Sequence, residues 1–202
     1  MPALANIAKI NGIVISGAPA VSDAHTLIAT ATASSSATLS FVLGLDSLYD
    51  AYEFRFNNMH PASSSDFSFQ VNATDGADYN DSLITSTHFR TWHRETGDET
   101  FLGYSTGHDL AQQASFQVMS NAVDNAADNG CSGILTLYAP SSTTYVKHFT
   151  SEFQSMHGGN YSQNSFAAGY INDTTAIDNI SFKFSSGNID AGVIKMYGVA
   201  KS

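Results

Sequence analysis

Apolar side chains recur at every second position along most of this chain. Leu39, Phe41 and Leu43 alternate with Ser40 and Val42, and Tyr52, Phe54 and Phe56 with Glu53, Arg55 and Asn57. Phe67, Phe69 and Val71 alternate with Ser68, Gln70 and Asn72, Leu135 and Leu137 flank Thr136, and Ile180, Phe182 and Phe184 flank Ser181 and Lys183. A period of two sends successive side chains to opposite faces of a strand, so each run predicts one buried and one wet face. Antiparallel sheets read this way, whereas strands buried in parallel sheets read as continuous apolar runs.

Turn residues separate the runs at short intervals: Asn11-Gly12, Gly44-Leu45-Asp46, Asp75-Gly76, Thr106-Gly107, Asn129-Gly130, Gly158-Gly159-Asn160 and Ser186-Gly187-Asn188. Short alternating strands between such turns predict an all-β fold, an antiparallel β-sandwich of two packed sheets. One segment is ambiguous. Between Asp109 and Asp128, Leu110, Ala114, Val118 and Ala122 fall near helical spacing while Phe116 and Val118 alternate, which allows at most a short helix.

The first residues differ from the rest. Ile7-Ala8-Lys9-Ile10 and Ile13-Val14-Ile15-Ser16 flank Asn11-Gly12, the strongest short-range hairpin signal, and Gly17 to Ser22 follows as a small-residue linker. The pattern divides the chain into an N-terminal β-hairpin extension over 1–22 and a β-sandwich domain over 23–202. A lone hairpin is marginal in water, so it must pack on its own domain, on a neighbouring copy or on a foreign surface. An extra edge hairpin and a docking arm are equally open readings. In the second, Ile7, Ile10, Ile13 and Ile15 are the candidate assembly contacts, adding strands to a partner.

Composition narrows the function. Only 13% of the 202 residues are charged, against about 25% in ordinary globular chains, so Ser, Thr, Asn and Gln must make the surface polar. Eighteen acidic and eight basic residues give a net charge of −10. Nucleic-acid binding needs a basic stripe, and the closest pair here is Arg90 and Arg94, so no nucleic acid is expected as a ligand, nor an anionic membrane. No stretch approaches the ~20 apolar residues of a membrane helix. The beginning of the chain has no positive charge ahead of its apolar part and is interrupted at Asn11, Gly12, Ser16 and Gly17, so a signal peptide is not expected. The sequons at Asn72, Asn80, Asn160, Asn172 and Asn179 then read as composition.

No catalytic, metal or cofactor site is expected. Cys131 is a single cysteine with no basic neighbour in sequence to lower its pKa, and reads as a small residue at a strand start. His88 and His93 are the only close histidine pair, and a spacing of five on a strand puts them on opposite faces. The acidic loop from Asp75 to Asp81 is the densest oxygen cluster, but its spacing fits no EF-hand and reads as a solvated turn, with calcium as the open alternative. No pair of carboxylates is marked out for glycoside hydrolysis, and there is no Gly-x-Ser-x-Gly elbow.

Aromatic residues are more informative. The phenylalanines are mostly absorbed by the alternating core faces, whereas Tyr79, Trp92, Tyr104 and Tyr161 fall at or near expected loops beside Asn, Asp or Gly. Such rings can stack on sugars or anchor a protein interface, which makes them the candidate ligand or receptor contacts; rim packing over the sandwich ends is the plainer alternative.

Several phrases are familiar as a set. They are Thr30 to Phe41 (TATASSSATLSF), Asp50 to Pro61 (DAYEFRFNNMHP), Ala139 to Phe149 (APSSTTYVKHF) and Ser186 to Gly198 (SGNIDAGVIKMYG), with Ala8 to Gly12 (AKING) near the start. In these the chain resembles small structural proteins of tailed phages, especially those of marine bacteria. The resemblance spans about residues 26 to 200 and implies a jelly-roll-like sandwich with no catalytic residues. It further implies a non-enzymatic virion protein, tail- or fibre-associated, with other virion proteins, further copies of itself and a host-surface glycan or protein as partners. A capsid decoration protein and a free carbohydrate-binding, lectin-like module are the alternatives. Members of that group often begin near the present Leu27, so the leading extension is a departure that favours the docking arm.

Overall fold

Tyr52, Phe54 and Phe56 all point to one side of a strand, and that side is closed to solvent while Glu53 and Arg55 opposite are only half-buried. The same division repeats in strand after strand and builds the core. The computed structural model describes residues 8–10, 13–15, 24–73, 78–79 and 81–199. The first two strands, β1 (Ala8–Ile10) and β2 (Ile13–Ile15), pair antiparallel as the N-terminal hairpin, with Lys9 opposite Val14. Ile7, the Asn11-Gly12 turn and the linker lie outside the described residues, as do the side chains of Ile10, Ile13 and Ile15.

The larger layer runs in the order β3 (His25–Thr32), β15 (Ile189–Val199), β5 (Ala51–Pro61), β11 (Cys131–Tyr138), β12 (Lys147–His157), β13 (Tyr161–Ile171) and β7 (Ile84–Arg94). Two short strands, β8 (Thr100–Tyr104) and β9 (Ala111–Gln113), share the outer edge of β7. The smaller layer is β10 (Gln117–Val123), β6 (Ser65–Ala73), β14 (Ile177–Phe184) and β4 (Leu39–Phe41). Every pairing is antiparallel, and the layers join through one rung, Val123 opposite His157. The fold is an antiparallel β-sandwich.

Aromatic rings fill the space between the layers. Phe182 of β14 lies 5.4 Å from Phe54 and 5.0 Å from Phe56, and Phe67 of β6 lies 5.6 Å from Phe56 and 6.0 Å from Phe153. Phe69 meets Phe149 edge-on at 5.1 Å, and Phe41 meets Phe54 at 5.5 Å. Offset and edge-to-face contacts of this kind add about 0.5–1.5 kcal/mol per pair beyond area burial.

The structure corrects the local pattern in two places and resolves the ambiguous segment. β6 is buried on both faces: Gln70 donates through Nε2 to the carbonyls of Ser82, Ala114 and Ser115, which lie over its polar side. Leu43 does not continue the alternation of Leu39 and Phe41 into the core; β4 ends at Phe41, and Leu43 is 81% exposed. The stretch from Asp109 to Asp128 holds β9 and β10 with no helix. Gln112 turns to a positive φ of 52°, and β10 pairs with β6, so tertiary pairing overrides a weak helical spacing.

Candidate functional site

β7 pairs with β13 along its whole length, Ile84 opposite Ile171 through Arg94 opposite Tyr161. Its C-terminal half turns back into β8 at Thr96-Gly97-Asp98, where Gly97 takes a φ of 77°, a conformation that favours glycine. The Gly97 N–H donates to the Arg94 carbonyl and the Thr96 hydroxyl to Asp98, which fixes Phe101 opposite Trp92. Alternation then gives β7 two functional faces. His88, Arg90, Trp92 and Arg94 face the interior side, and Phe89, Thr91 and His93 face outward.

On the interior side, at the open end of the sandwich, Trp92 stacks flat on Phe101 with centroids 4.1 Å apart and planes 18° apart. Tyr161 stands edge-on to Trp92 at 5.9 Å and to His157 at 5.6 Å. The Arg90 guanidinium lies 4.9 Å from the Trp92 ring, and that of Arg94 4.6 Å from the Tyr161 ring. Arg94 also pairs with Glu99 at 3.1 Å and with Asp98 at 3.4 Å, and it donates to the Tyr161 hydroxyl, which in turn donates to Glu99. Arg90, Trp92, His157 and Tyr161 line a slot of about 160 Å³.

On the outward side the sheet carries a run of depressions with shared walls. The largest, about 500 Å³, lies where β5, β11 and β15 bulge, and Asn58, His60, Asp128, Asn129, Ser132 and Gln154 line it. Asn58 adopts a positive φ of 49° there, and its N–H donates to the Ser132 hydroxyl. Ser132 and Gln154 also line the next hollow, of about 200 Å³, with Ile134, Glu152 and Asn164. Ile134 and Glu152 continue into one of about 270 Å³ with Thr136, Thr150 and Phe166. Asn164 continues into one of about 330 Å³ with Thr91, Trp92, His93, Thr100 and Ser162. The result is a single trough crossing β11, β12, β13 and β7. Strand register sets a row across it, in which Ile134, Glu152, Phe166, Phe89 and Tyr104 are successive cross-strand neighbours. Phe89 and Phe166 stack at 4.8 Å, and Phe89 keeps 43% of its surface exposed.

No family model matches this chain. No curated protein and no solved structure matches it either.

The four aromatic residues read from the sequence are thus distributed over three places. Trp92 and Tyr161 come together at the slot, although Trp92 sits inside a strand and not in a loop. Tyr104, 52% exposed, lies on the opposite face beside Phe89 and donates to Asp109 at 2.7 Å. Tyr79 lies 6.4 Å from Phe116, which is itself covered by the Lys183 ammonium. Residues 74–77 and Asn80 of the acidic loop lie outside the described residues. Sequence reasoning missed Phe101, Arg90 and the trough. Phe101 was findable, because a tight turn at Thr96-Gly97 dictates the register that pairs it with Trp92.

The buried polar groups behind the slot give the site its electrostatics. His88 and His93 do fall on opposite faces, with His88 fully buried and His93 exposed. Neither ring nitrogen of His88 has a hydrogen-bond partner, and its ring lies 5.3 Å from that of His108. Burial, with His108 and Arg90 nearby, pushes its pKa down to about 4, so it is neutral at pH 7. Ser105, His108 and Asp66 have the residue types of a nucleophilic triad, with Ser105 Oγ 2.7 Å from His108 Nδ1. Yet Ser105 is buried, and His108 Nε2 is 3.8 Å from Asp66, beyond hydrogen-bond reach. Asp66 instead accepts the Ala122 N–H, so this group braces β6 and β10 against the turn after β8. The Cys131 thiol is buried and its pKa is pushed up by that burial, which makes it an inert core group.

Proposed function

We propose that this chain is a non-enzymatic virion domain, carried on a phage tail or its fibres, that meets the host surface by laying an extended glycan along the outward trough. The observation that carries this reading is the continuity of the trough: each of its hollows shares walls with another. Its lining alternates hydroxyls, amides and carboxylates from Ser132, Gln154, Glu152, Asn164 and Thr91, the groups that exchange hydrogen bonds with sugar hydroxyls. Phe166 and Phe89 offer apolar faces beside them. Groups fixed on strands of one sheet need little reordering on binding, which favours affinity.

The phage assignment rests on the phrases quoted from the sequence. Assembly through further copies is supported by β3, which among the described residues pairs only with β15, so its other side offers main-chain groups to a partner strand.

Two measurements test the proposal. Purified full-length chain should bind neutral oligosaccharides on a glycan array without releasing reducing ends, and Glu152→Gln with Asn164→Ala should weaken that binding at least tenfold. Retained binding in the double variant sinks the trough. Immunogold electron microscopy of the particle should place label on the tail or fibres. Label over the shell would make the chain a capsid decoration protein, and particles without label would leave a free lectin-like module.

A further inference from the structure

The interior face of β7 carries a second concave site, which meets the trough only at Trp92. Its walls are the rings of Trp92, Tyr161 and His157, and Arg90 completes the lining. Arg90 stands out among the arginines. Arg55 pairs with Glu53 and Arg94 with Asp98 and Glu99, whereas Arg90 has no carboxylate within ion-pair distance among the described residues. Its one polar contact is a long one, 3.5 Å from Nη1 to the Gln163 side-chain oxygen. Arg90 Nε and Trp92 Nε1 are both out of solvent with no acceptor.

The charge balance of the slot is specific. Asp98 and Glu99 are turned to Arg94, the Tyr161 hydroxyl is turned to Glu99, and Asp66, the acid whose charge reaches Arg90, stays beyond ion-pair distance of it. His157 Nδ1 faces the Gly158 carbonyl at 2.5 Å and so carries the ring hydrogen, leaving Nε2 to accept from a hydroxyl. The slot therefore combines a forked cation, one acceptor and the sides of the Trp92 and Tyr161 rings turned away from Phe101 and Arg94. A guanidinium matches a carboxylate geometrically, ring faces match the C–H side of a sugar, and the imidazole matches a sugar hydroxyl.

We propose that this slot binds a single uronic-acid-type sugar residue, with Arg90 taking its carboxylate and Trp92 and Tyr161 covering its C–H face. At about 160 Å³ the slot admits one small ring and not an oligosaccharide, so the residue enters as a chain end or a side branch. The site rests on observations independent of the trough, and either can fail alone.

Trp92 is the only tryptophan of the chain and lines both the slot and one hollow of the trough, so its fluorescence reports binding and the Arg90 variant assigns it to the slot. The full-length protein is titrated with D-glucuronate, D-glucose and acetate at constant ionic strength. The expected result is a saturable change with glucuronate, with glucose and acetate at least tenfold weaker. Arg90→Gln should weaken glucuronate at least tenfold, while Tyr145→Ala, at a side chain 73% exposed that lines neither the slot nor the trough, should leave it unchanged. If Arg90→Gln does not fold, the methyl ester of glucuronic acid makes the same comparison on the unaltered chain and should bind at least tenfold more weakly than the acid. Glucose or the ester binding as well as glucuronate overturns carboxylate recognition. Acetate binding as well overturns the sugar, and no saturable change with any of them overturns the site.

Discussion

The ammonium of Lys147 donates to the main-chain carbonyl of Asp173 at 3.0 Å, from a side chain with no exposed surface. It donates to the Thr175 carbonyl as well, and so fastens the loop between β13 and β14 to the first residue of β12. Burial lowers its pKa, so the bonds to the two carbonyls must offset the cost of keeping it charged. Replacing it with methionine keeps the bulk and strands two buried acceptors, each worth about 1–3 kcal/mol. Urea unfolding of Lys147→Met should show a loss of at least about 2 kcal/mol. A change below about 0.5 kcal/mol would mean water replaces the ammonium at once.

His88 makes the fold acid-sensitive. Its folded pKa, pushed down to about 4, lies below the unfolded value near 6.5, so the unfolded chain binds the extra proton. The stabilisation is complete above the unfolded pKa and is lost as pH falls from about 6.5 toward 4. The shift corresponds to at most about 3 kcal/mol. His108, Arg90 and Asp109 face the ring and modulate the window. Thermal midpoints between pH 7 and pH 4.5 should fall less in His88→Gln than in the parent chain, and equal slopes would refute the assignment.

Phe182 is the hub of the interlayer core, touching Phe41, Phe54, Phe56 and Phe67. Truncation to alanine should cost about 3–5 kcal/mol and truncation to leucine distinctly less, because the cavity left is smaller. Chemical denaturation of both variants tests the ordering.

Gly169 of β13 sits against the main chain of Thr85 and Ser86 in β7, and a Cβ there would collide with backbone. Gly169→Ala should therefore force β7 and β13 apart and lower stability more than Gly107→Ala, where nothing lies within 4 Å. Comparable midpoints for the two variants would show that β7 shifts freely.

Deletion of residues 1–22 should leave the sandwich folded, with far-ultraviolet circular dichroism and thermal midpoint unchanged, while abolishing incorporation into particles. Normal incorporation of the truncated chain would remove the docking arm.

The core was legible because Tyr52, Phe54 and Phe56, or Phe67 and Phe69, each declare their face through local alternation. What stayed hidden depends on distant register. Gln70 looks like a wet-face residue until Ala114 and Ser115 are laid over it. Ile134, Glu152, Phe166 and Phe89 are unremarkable where they stand in the chain and become one row only when four strands align. The slot was half legible. Trp92 and Tyr161 were marked as aromatics near loops, but that Arg90 stands on the same face as Trp92 without an ion pair shows only once the strands are aligned.

One paired rung of strand register joins the layers, with a few further hydrogen bonds beside it, whereas β12 with β13, and β13 with β7, are each zipped by eleven paired residues. The material is therefore anisotropic. A pull along the strands of the larger layer loads many hydrogen bonds together in shear, and a pull across the layers meets packed phenylalanine rings and a few scattered hydrogen bonds, such as those from Ser86 to Gln117 and from Gln163 to the Asn121 carbonyl. A domain built this way would tolerate tension passed along a fibre far better than a force prising its faces apart. It would also be softest in the cold, where apolar contact weakens.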